Sequence, residues 1–384
     1  MRPILQSKND PIQAEKQKQK LLQLPRILNF TQNATLFKPD IPFTIGDITI
    51  TPIECDHSAI DSYMFLIQAD NKRILHTGDF RTNCFFGEYY MSQLAQKIGR
   101  VDAVIMEGTT LYSAMEDSAF FAPDIIPAPQ AEPLHLPHPA SERDLQITAK
   151  SLFENYTNVF IIASTTALER IFAFAKVVPP HKFFIVDEYQ NDLINLVQKY
   201  RSDTSDLFSD LFNIRPPFIA HRSDISLKPH VLDKLHTQGC IILARNNHFF
   251  HKLIDNFKSD NSLFIYSMWD GYRRKRGSHI DKLLQKASLW TQLHTGGHAS
   301  MDGLKHLLDT TLPATVVPIH TEHPELLQNY TIHKKFISCR IEKSSNSFSS
   351  FNYYYSCDRY WLRQYAARRA ASPACGRQYA TRIL

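Results

Sequence analysis

The sequence predicts an α/β protein in which one sheet domain is inserted into another. Between residues 40 and 110, short apolar strands end on polar residues. From 141 to 288, continuous apolar strands alternate with helical segments, which is typical of a parallel sheet covered on both faces. From 289, the strand-then-polar pattern of the first region resumes. We therefore expect two sheets, the second formed by an inserted segment.

Composition sets the broad class of the protein. The 384 residues can fill one large or two ordinary domains, and 43% are hydrophobic, which is enough for a core. We see no apolar run that could cross a bilayer and no apolar stretch typical of a signal peptide, so we expect a cytoplasmic protein without a membrane partner. Six scattered cysteines without a CxxC motif predict reduced thiols. A net charge of +5 permits an anionic partner without indicating one.

The first region reads as a short helix followed by strands. A polar helix is predicted at 11–24 and a second helix at 91–98. The predicted strands are 48–53, 63–68, 73–76 and 102–106. The pair Asn71-Lys72 predicts a hairpin turn between the second and third of these strands.

The second region follows a proline-rich linker at 118–140, where six prolines begin at Pro123. Predicted helices lie at 141–154, 167–177 and 190–200, and predicted strands at 159–163, 183–186, 240–244 and 263–266. Strands at 289–293 and 315–319 and a helix at 301–309 then return to the first domain. The predicted units are 1–117, the linker 118–140, the inserted domain 141–288, the return 289–342 and an irregular basic tail at 343–384.

Polar motifs stand where predicted strands end. They are Asp56–Ser58, His76–Phe80, Met106–Gly108, His294–Ser300 and Pro318–Glu322. Neutral imidazole is a common ligand of zinc and manganese. Asp79 follows a glycine and could approach a cation closely. With His57, His298 and His320 also at strand exits, the set predicts a metal site.

Other interpretations of single motifs remain open. A histidine that follows a strand, as His57 does, is more often structural than a ligand. Asp79 could form an Asx turn. Ser164-Thr165-Thr166 opens a helix and could bind phosphate, although a plain N-cap is the alternative, and Arg170 one turn later fits either interpretation.

An aromatic and basic segment suggests contact with nucleic acid. Trp269 and Tyr272 stand directly before the basic run 273–276. Exposed aromatic rings beside positive charge are used to bind single strands. A solvated loop is the alternative. The arginine-rich tail could likewise bind RNA or remain a poorly folded appendage.

Taken together, the motifs resemble those of the metallo-β-lactamase-fold nucleases of the β-CASP group, most closely ribonuclease J. The resemblance covers about residues 11–342. In order, the five motifs are similar to the third and fourth motifs of the family and to its motifs A, B and C. The resemblance implies a metallo-β-lactamase αββα sandwich, incomplete here, with an inserted Rossmann-like β-CASP domain.

The resemblance also implies an RNA substrate and two divalent metals, zinc or possibly manganese. By this resemblance His57 binds the first metal, His320 binds the second and Asp79 bridges both. The family cleaves RNA by attack of a water or hydroxide held between the two metals.

Three further roles come from the same resemblance. His298 and the Ser164–Thr166 loop, with Ser300, would hold phosphate. Glu107 would support a ligand or a proton transfer. Asp79, Glu107 and His298 are thus the expected catalytic residues.

One family motif is missing from the printed sequence. The cluster His-x-His-x-Asp-His, which supplies two ligands to each metal, does not occur, and residues 1–56 contain no histidine. We therefore expect an N-terminally truncated member with weak or no activity. We also expect an open sheet edge that could pair with a second copy or with a chain supplying the missing strands.

Two alternative functions compete with RNA hydrolysis. One is a non-catalytic remnant that binds RNA or a protein partner. The other is a different hydrolase on the same fold, of the β-lactamase or thioesterase type. The inserted domain argues against the latter because those compact enzymes do not need it.

Overall fold

The fold is described from a computed structural model. It covers residues 34–58, 61–111, 133–201, 210–220, 229–274, 281–321, 323–328 and 335–337. The predicted helix at 11–24, most of the linker 118–140 and the tail 343–384 lie outside these ranges.

Thirteen strands and ten helices are described in this part of the chain. The strands are β1 Phe43–Ile45, β2 Ile48–Cys55, β3 Ser62–Ala69, β4 Lys72–His76, β5 Ala103–Glu107, β6 Asn158–Ala163, β7 Phe183–Asp187, β8 Phe218–Ala220, β9 Cys240–Ala244, β10 Ser262–Ser267, β11 Trp290–Gln292, β12 Thr315–Ile319 and β13 Lys335–Phe336. The helices are α1 Gly87–Lys97, α2 Glu142–Asn155, α3 Leu168–Lys176, α4 Glu188–Arg201, α5 Pro229–Gln238, α6 His248–Phe257, α7 Asp270–Arg274, α8 Asp281–Leu284, α9 Met301–Thr311 and α10 Glu325–Gln328.

The first sheet has the strand order β1-β2-β3-β4-β5-β12-β13. Strands β1 to β4 pair antiparallel, whereas β4, β5, β12 and β13 pair parallel. One face packs on α1 and α9 through a core that includes Met64, Leu75, Val104, Leu94 and Leu307. The strand exits of β4, β5 and β12 therefore lie side by side at one edge.

The hairpin between β3 and β4 turns one residue earlier than predicted. Ala69 pairs with Lys72, so the two loop residues are Asp70 and Asn71 rather than Asn71 and Lys72. Both adopt positive φ, 50° and 57°. A type I′ turn requires that conformation at both central positions, and Asp and Asn tolerate it better than Lys does.

The second sheet is parallel throughout, with the order β11-β10-β6-β9-β7-β8. Strands β6 and β10 are buried at every residue. Helices α2, α3 and α4 cover one face, and α5 and α6 cover the other. The predicted parallel sheet, covered on both faces, is confirmed.

Strand β11 does not return to the first domain. We assigned residues 289–293 to that return, but Trp290–Gln292 pairs with β10 at the edge of the second sheet. Pro133 of the linker also forms a bridge with Trp290. The chain therefore crosses back to the first sheet after residue 292, and the segment between β11 and α9 joins the two sheets.

The connections from two neighbouring strands of the second sheet run to opposite faces of the sheet. Strand β6 leads through α3 to one side of the sheet, whereas its neighbour β9 leads through α6 to the other side. Ligands of open parallel sheets bind where neighbouring connections diverge in this way. Ser164–Thr166, which follows β6, lies at that point.

The described residues also bear on the thiols and on membranes. Cys55, Cys84 and Cys240 are free and buried, as predicted for reduced thiols. Within the described ranges, every helix is too short or too polar to span a bilayer.

Candidate metal centre

Four distant positions of the chain meet at the exits of β4, β5 and β12. Asp79 follows β4, Glu107 ends β5, and His320 follows β12. His298 lies in the segment between β11 and α9 and reaches the same place. One possible ligand atom from each of these residues lies within 4.8 Å of the others. The predicted convergence of Asp79, His298 and His320 is therefore present.

Glu107 organises this group from a fully buried position. Its Oε2 lies 2.8 Å from Nδ1 of His298. Its Oε1 accepts hydrogen bonds from the backbone N–H of Phe80 at 2.7 Å and of Ala299 at 3.4 Å. One carboxylate thus holds the turn that carries Asp79 and the segment that carries His298. Because Nδ1 of His298 is engaged, Nε2 is left as the ligand atom.

The turn that presents Asp79 depends on Gly78. Gly78 has a φ of +56°, and an added Cβ would contact the carbonyl oxygen of Tyr63 at 3.4 Å. The hydroxyl of Thr77 donates to the carbonyl of Gly78 and accepts from the N–H of Glu107. The tight turn brings the Asp79 carboxylate to the strand exits, and its contact with His320 argues against a purely local Asx turn.

Asp79 and His320 form an ion pair. Nδ1 of His320 lies 3.0 Å from Oδ1 of Asp79 and 2.8 Å from the hydroxyl of Thr109. The hydrogen bond to Asp79 raises the pKa of His320, although burial opposes the shift. Burial would raise the pKa of Asp79, but the hydrogen bond and charge of His320 outweigh it and the pKa is lowered.

The backbone of His320 is strained. Its φ is 54°, in the left-handed region that residues other than glycine rarely adopt. Such a conformation costs on the order of 1 kcal/mol or more and persists where the surroundings require it. Here it turns the ring back toward Asp79 at the exit of β12.

His57 lies beside the four-residue group rather than in it. Its ring centroid is 5.0 Å from that of His298. Nδ1 of His57 lies 2.5 Å from the carbonyl oxygen of Gly297, and Nε2 lies 3.2 Å from the hydroxyl of Ser58. Burial, together with the nearby His298, lowers the pKa of His57. His57 is thus neutral near pH 7, with both ring nitrogens in hydrogen bonds.

The donor chemistry of the group suits a divalent cation. Asp79 and Glu107 contribute carboxylates, and within the described ranges neither pairs with a lysine or an arginine. Zinc ligands lie about 2.0–2.2 Å from the ion, so two ligands of one ion are at most about 4.4 Å apart. Ligand atoms of the four residues lie within 4.8 Å of one another, which is close to this limit. The resemblance gave Glu107 and His298 roles other than metal binding, and sequence reasoning did not count Glu107 among the metal ligands.

Hydroxyl groups of the predicted phosphate site form hydrogen bonds within the protein. The hydroxyl of Ser300 accepts from the N–H of Gly303 and is the N-cap of α9. Ser164 and Thr166 share a hydrogen bond of 2.8 Å between their hydroxyls. Residue 167, not a residue of this loop, is the N-cap of α3, and it makes no side-chain cap. The plain N-cap interpretation of the Ser164–Thr166 loop is therefore wrong.

Arg170 does not face a phosphate. It is 4% exposed and points into a buried cluster behind the metal centre. Its guanidinium contacts the carboxylate of Glu142, the hydroxyl and carbonyl of Thr295, and Nδ1 of His294. Burial, followed by the charge of Arg170, lowers the pKa of His294 to about 3, so this imidazole is neutral.

Arg81 is the second centre of this cluster. Its guanidinium pairs with the carboxylates of Asp56, Glu142 and Glu169. We call the set of Asp56, Arg81, Glu142, Glu169, Arg170 and Thr295 the arginine network. The hydroxyl of Thr295 also donates to Glu142 at 2.5 Å. The network joins loops of the first sheet to α2 and α3 of the second domain.

Sequence reasoning missed the arginine network for a physical reason. Asp56 and Thr295 lie in strand-exit motifs, but their partners in the network lie up to 153 residues away in the sequence. The available signal was weak: Asp56 and Arg81 flank predicted site residues, and Glu142 directly follows a helix-capping serine.

Comparisons with known proteins bear on the fold alone. No family model matches the chain, and no curated protein matches it. Among solved structures, it is similar to a crystal structure of a protein of unknown function from Enterococcus faecalis V583, with 19% identity and a TM-score of 0.54. The match covers 79% of this chain and 65% of that protein, so the chain spans less than two thirds of its length.

Proposed function

We propose that the chain is a metal-dependent RNA phosphodiester hydrolase of the metallo-β-lactamase type, with the second sheet as a β-CASP domain. The observation that carries the proposal is the meeting of Asp79, Glu107, His298 and His320 at one edge of the first sheet. Two carboxylates and two imidazoles form a donor set for a divalent cation.

A bound cation would polarise a phosphate oxygen and lower the pKa of a nearby water. The protein itself supplies orientation. Glu107 holds the His298 ring through Nδ1 and directs Nε2 into the centre. Gly78 positions the Asp79 carboxylate, and the Asp79–His320 contact keeps both side chains at the exits.

A phosphate group would be held on the opposite side by the second domain. The hydroxyls of Ser164 and Thr166 lie at the start of α3, at the carboxyl edge of the second sheet. The N–H groups of residues 166, 167 and 168 are bonded within the loop, so the hydroxyls are the groups that would contact an anion. Strand β6 leads into this loop and β11 leads toward His298, and both strands run parallel to β10, so both lead out at the carboxyl edge of the second sheet.

We infer that the activity is weak. In the described part of the chain, the donors gather around one position, and His57 is engaged by Gly297 and Ser58. One cation can activate water or stabilise charge, but a pair stabilises both the attacking and the leaving oxygen. We therefore expect slow turnover through one cation.

The test is cleavage of 5′-monophosphorylated single-stranded RNA by the full chain with Zn²⁺ or Mn²⁺. We expect slow cleavage that requires the metal and is lost in Asp79→Asn and in His298→Ala. Absence of metal binding to the native chain, or cleavage that persists unchanged in Asp79→Asn, would contradict the proposal.

A second function, RNA binding without cleavage, is favoured by an exposed aromatic pair. Trp269 and Tyr272 are 53% and 54% exposed and stand edge to face, with ring centroids 5.5 Å apart. The ring of Trp269 lies over Gly271, where an added Cβ would be 2.3 Å from it. The pair follows β10 and so lies on the same sheet edge as Ser164–Thr166.

Binding of a fluorescent poly-pyrimidine RNA tests this second function. Stacking of one base is worth about 1–3 kcal/mol, so we expect Trp269→Ala to weaken binding about 5- to 150-fold. Leu312→Ala, which removes another exposed apolar side chain, is the control. Equal affinity of the two variants for the RNA would show that the aromatic pair does not contact it.

A further inference from the structure

Two loops that carry residues of the metal centre, and the neighbouring exit of β2, are tied to the arginine network. Asp56 directly precedes His57, and its carboxylate pairs with Arg81. Arg81 itself comes two residues after Asp79. Thr295 comes three residues before His298 and is held by Arg170 and Glu142. The two ligand loops are thus anchored within three residues of Asp79 and of His298, and the β2 exit is anchored next to His57.

The anchoring groups come from the second domain. Glu142 is the first residue of α2, and Glu169 and Arg170 belong to α3. Glu142 connects the two arginines, because its Oε1 accepts from Arg81 at 2.7 Å and from Nε of Arg170 at 3.1 Å. Its side chain is fully buried. No other described acid contacts both guanidinium groups.

The network adds backbone anchors at its ends. Oε1 of Glu169 accepts from the N–H of Phe85 at 2.8 Å, and the N–H of Glu142 donates to the carbonyl of Asn83. The N–H of Arg81 donates to the carbonyl of Asp56 at 2.8 Å. The loop after β4 is therefore held along its length, from Arg81 to Phe85, by residues of the two helices and of the β2 exit.

We propose that Glu142 and Thr295 are positioning residues of the metal centre, so that the second domain sets the geometry in which the first domain binds its cation. The proposal rests on the proposed function for the identity of the ligand. Metal affinity depends on groups that orient the ligands, and loss of such a group weakens binding about 10- to 100-fold. A loop released from the network would carry its ligand away from the common point.

The experiment compares matched variants of the full chain. Glu142→Gln removes the charge that joins the two arginines. Thr295→Val removes the hydroxyl between Glu142 and Arg170, and Thr295→Ser restores it. Asp187→Asn is the control, because the Asp187 side chain contacts Arg245 and Gln190, which belong to neither the arginine network nor the ligand loops.

Two quantities are measured on each folded variant, below its unfolding temperature. One is the Zn²⁺ dissociation constant, by competition with a chromogenic chelator. The other is the ¹H–¹³C spectrum of the histidine rings in the metal-free protein. We expect about 10-fold weaker Zn²⁺ binding or more in Glu142→Gln and Thr295→Val, and native affinity within about twofold in Thr295→Ser and Asp187→Asn. The ring signals of His57 and His298 should shift in the first two variants only.

The outcomes separate this proposal from the proposed function. If all variants bind Zn²⁺ as the native chain does, the positioning roles are wrong and the metal centre stands. Equal weakening in Asp187→Asn would show that general destabilisation is the cause. If the native chain binds no Zn²⁺, the proposed function fails, and the histidine spectra alone decide: unshifted His57 and His298 signals in Thr295→Val would overturn the positioning roles too.

Discussion

The metal centre and the arginine network lie beside each other but balance their charges differently. The centre combines two carboxylates with imidazoles, and the side chains of His298 and His320 are 26% and 31% exposed. The network combines three carboxylates with two guanidinium groups, and the Arg81 side chain is 3% exposed. Each carboxylate of the network contacts a guanidinium group, whereas Asp79 and Glu107 contact no arginine or lysine among the described residues. Unmatched carboxylates at a partly open position are what a cation requires.

Donor spacing alone would not have separated the two clusters. Asp56, Cys84 and Glu169 also bring possible ligand atoms within 4.8 Å of one another. Arg81 already neutralises both of those carboxylates. Burial, with the charge of Asp56, raises the pKa of the Cys84 thiol, whereas zinc binds the thiolate. We therefore assign the cation to the centre.

Replacement of Arg81 should lower the free energy of unfolding more than any other change considered below. Arg81→Met leaves the buried carboxylates of Asp56 and Glu169 without their guanidinium partner. Breaking a buried ion pair on one side costs about 3–5 kcal/mol. We expect a loss of that size in the free energy of unfolding, measured in urea.

The matched control is a solvent-exposed pair in the first domain. Lys72 and Asp102 are 65% and 39% exposed. Lys72→Met should lower the free energy of unfolding by less than about 1 kcal/mol. Similar losses of unfolding free energy in Arg81→Met and Lys72→Met would show that the arginine network stabilises the fold no more than an exposed ion pair does.

Replacement of Asp79 should weaken metal binding, whereas replacement of Cys84 in the other cluster should not. We expect Asp79→Asn to weaken Zn²⁺ binding at least about 100-fold, since even orienting groups contribute 10- to 100-fold. Cys84→Ala should bind Zn²⁺ like the native chain. Calorimetric titration with Zn²⁺ measures the affinity of both variants. Weaker binding in Cys84→Ala would show that the cation binds at Asp56, Cys84 and Glu169 instead.

His294 should make the stability of the network depend on pH. Its pKa is about 3 in the folded protein, against an ordinary value of about 6.5 in the unfolded chain. The unfolded chain therefore binds the extra proton between these values, and stability falls as pH decreases through that window. At pH 5 the loss is about 2 kcal/mol relative to pH 7.5.

His294→Asn retains an acceptor for Arg170 but does not titrate. Urea unfolding of both proteins at pH 7.5 and pH 5 isolates the contribution of the imidazole, because other titrating groups are common to both. If the free energy of unfolding falls equally in the native protein and in His294→Asn between pH 7.5 and pH 5, His294 is not held neutral.

His320 should have the smallest effect on the stability of the metal-free protein. Its pair with Asp79 is partly exposed, so His320→Gln should change the free energy of unfolding by less than about 1 kcal/mol. The raised pKa of His320 means that the pair contributes below the ordinary pKa and that the contribution is lost as pH rises through the folded value. The native-to-variant difference should therefore shrink between pH 6 and pH 9, as measured by thermal unfolding.

The elements with regular patterns were predictable from sequence. Strand β2 was predicted at 48–53 and runs to Cys55, and helix α9 was predicted at 301–309 and runs to Thr311. Some elements were not predicted. Strand β8 and helix α5 lie between the predicted helix 190–200 and the predicted strand 240–244, and α6 lies between the predicted strands 240–244 and 263–266. The apolar pattern of β11 was recognised, but its sheet was not, because pairing partners are set by tertiary contacts.

The site was predictable to the extent that its residues follow strands. Asp79 and His320 were placed together because strand exits share an edge. The buried pair of Glu107 with His298 was not foreseen as part of one donor group. Arg170 fitted either a phosphate site or a plain helix start, and in the structure it pairs with Glu142. A long cationic side chain can be identified in sequence, but its direction cannot.

Diffraction at the zinc or manganese absorption edge from crystals of the full chain grown with that metal tests the central claim most directly. We predict one anomalous peak about 2.0–2.2 Å from side-chain donors that include Asp79, His298 and His320. A peak at Asp56, Cys84 and Glu169, or no peak near Asp79 at saturating metal, would contradict the assignment of the cation.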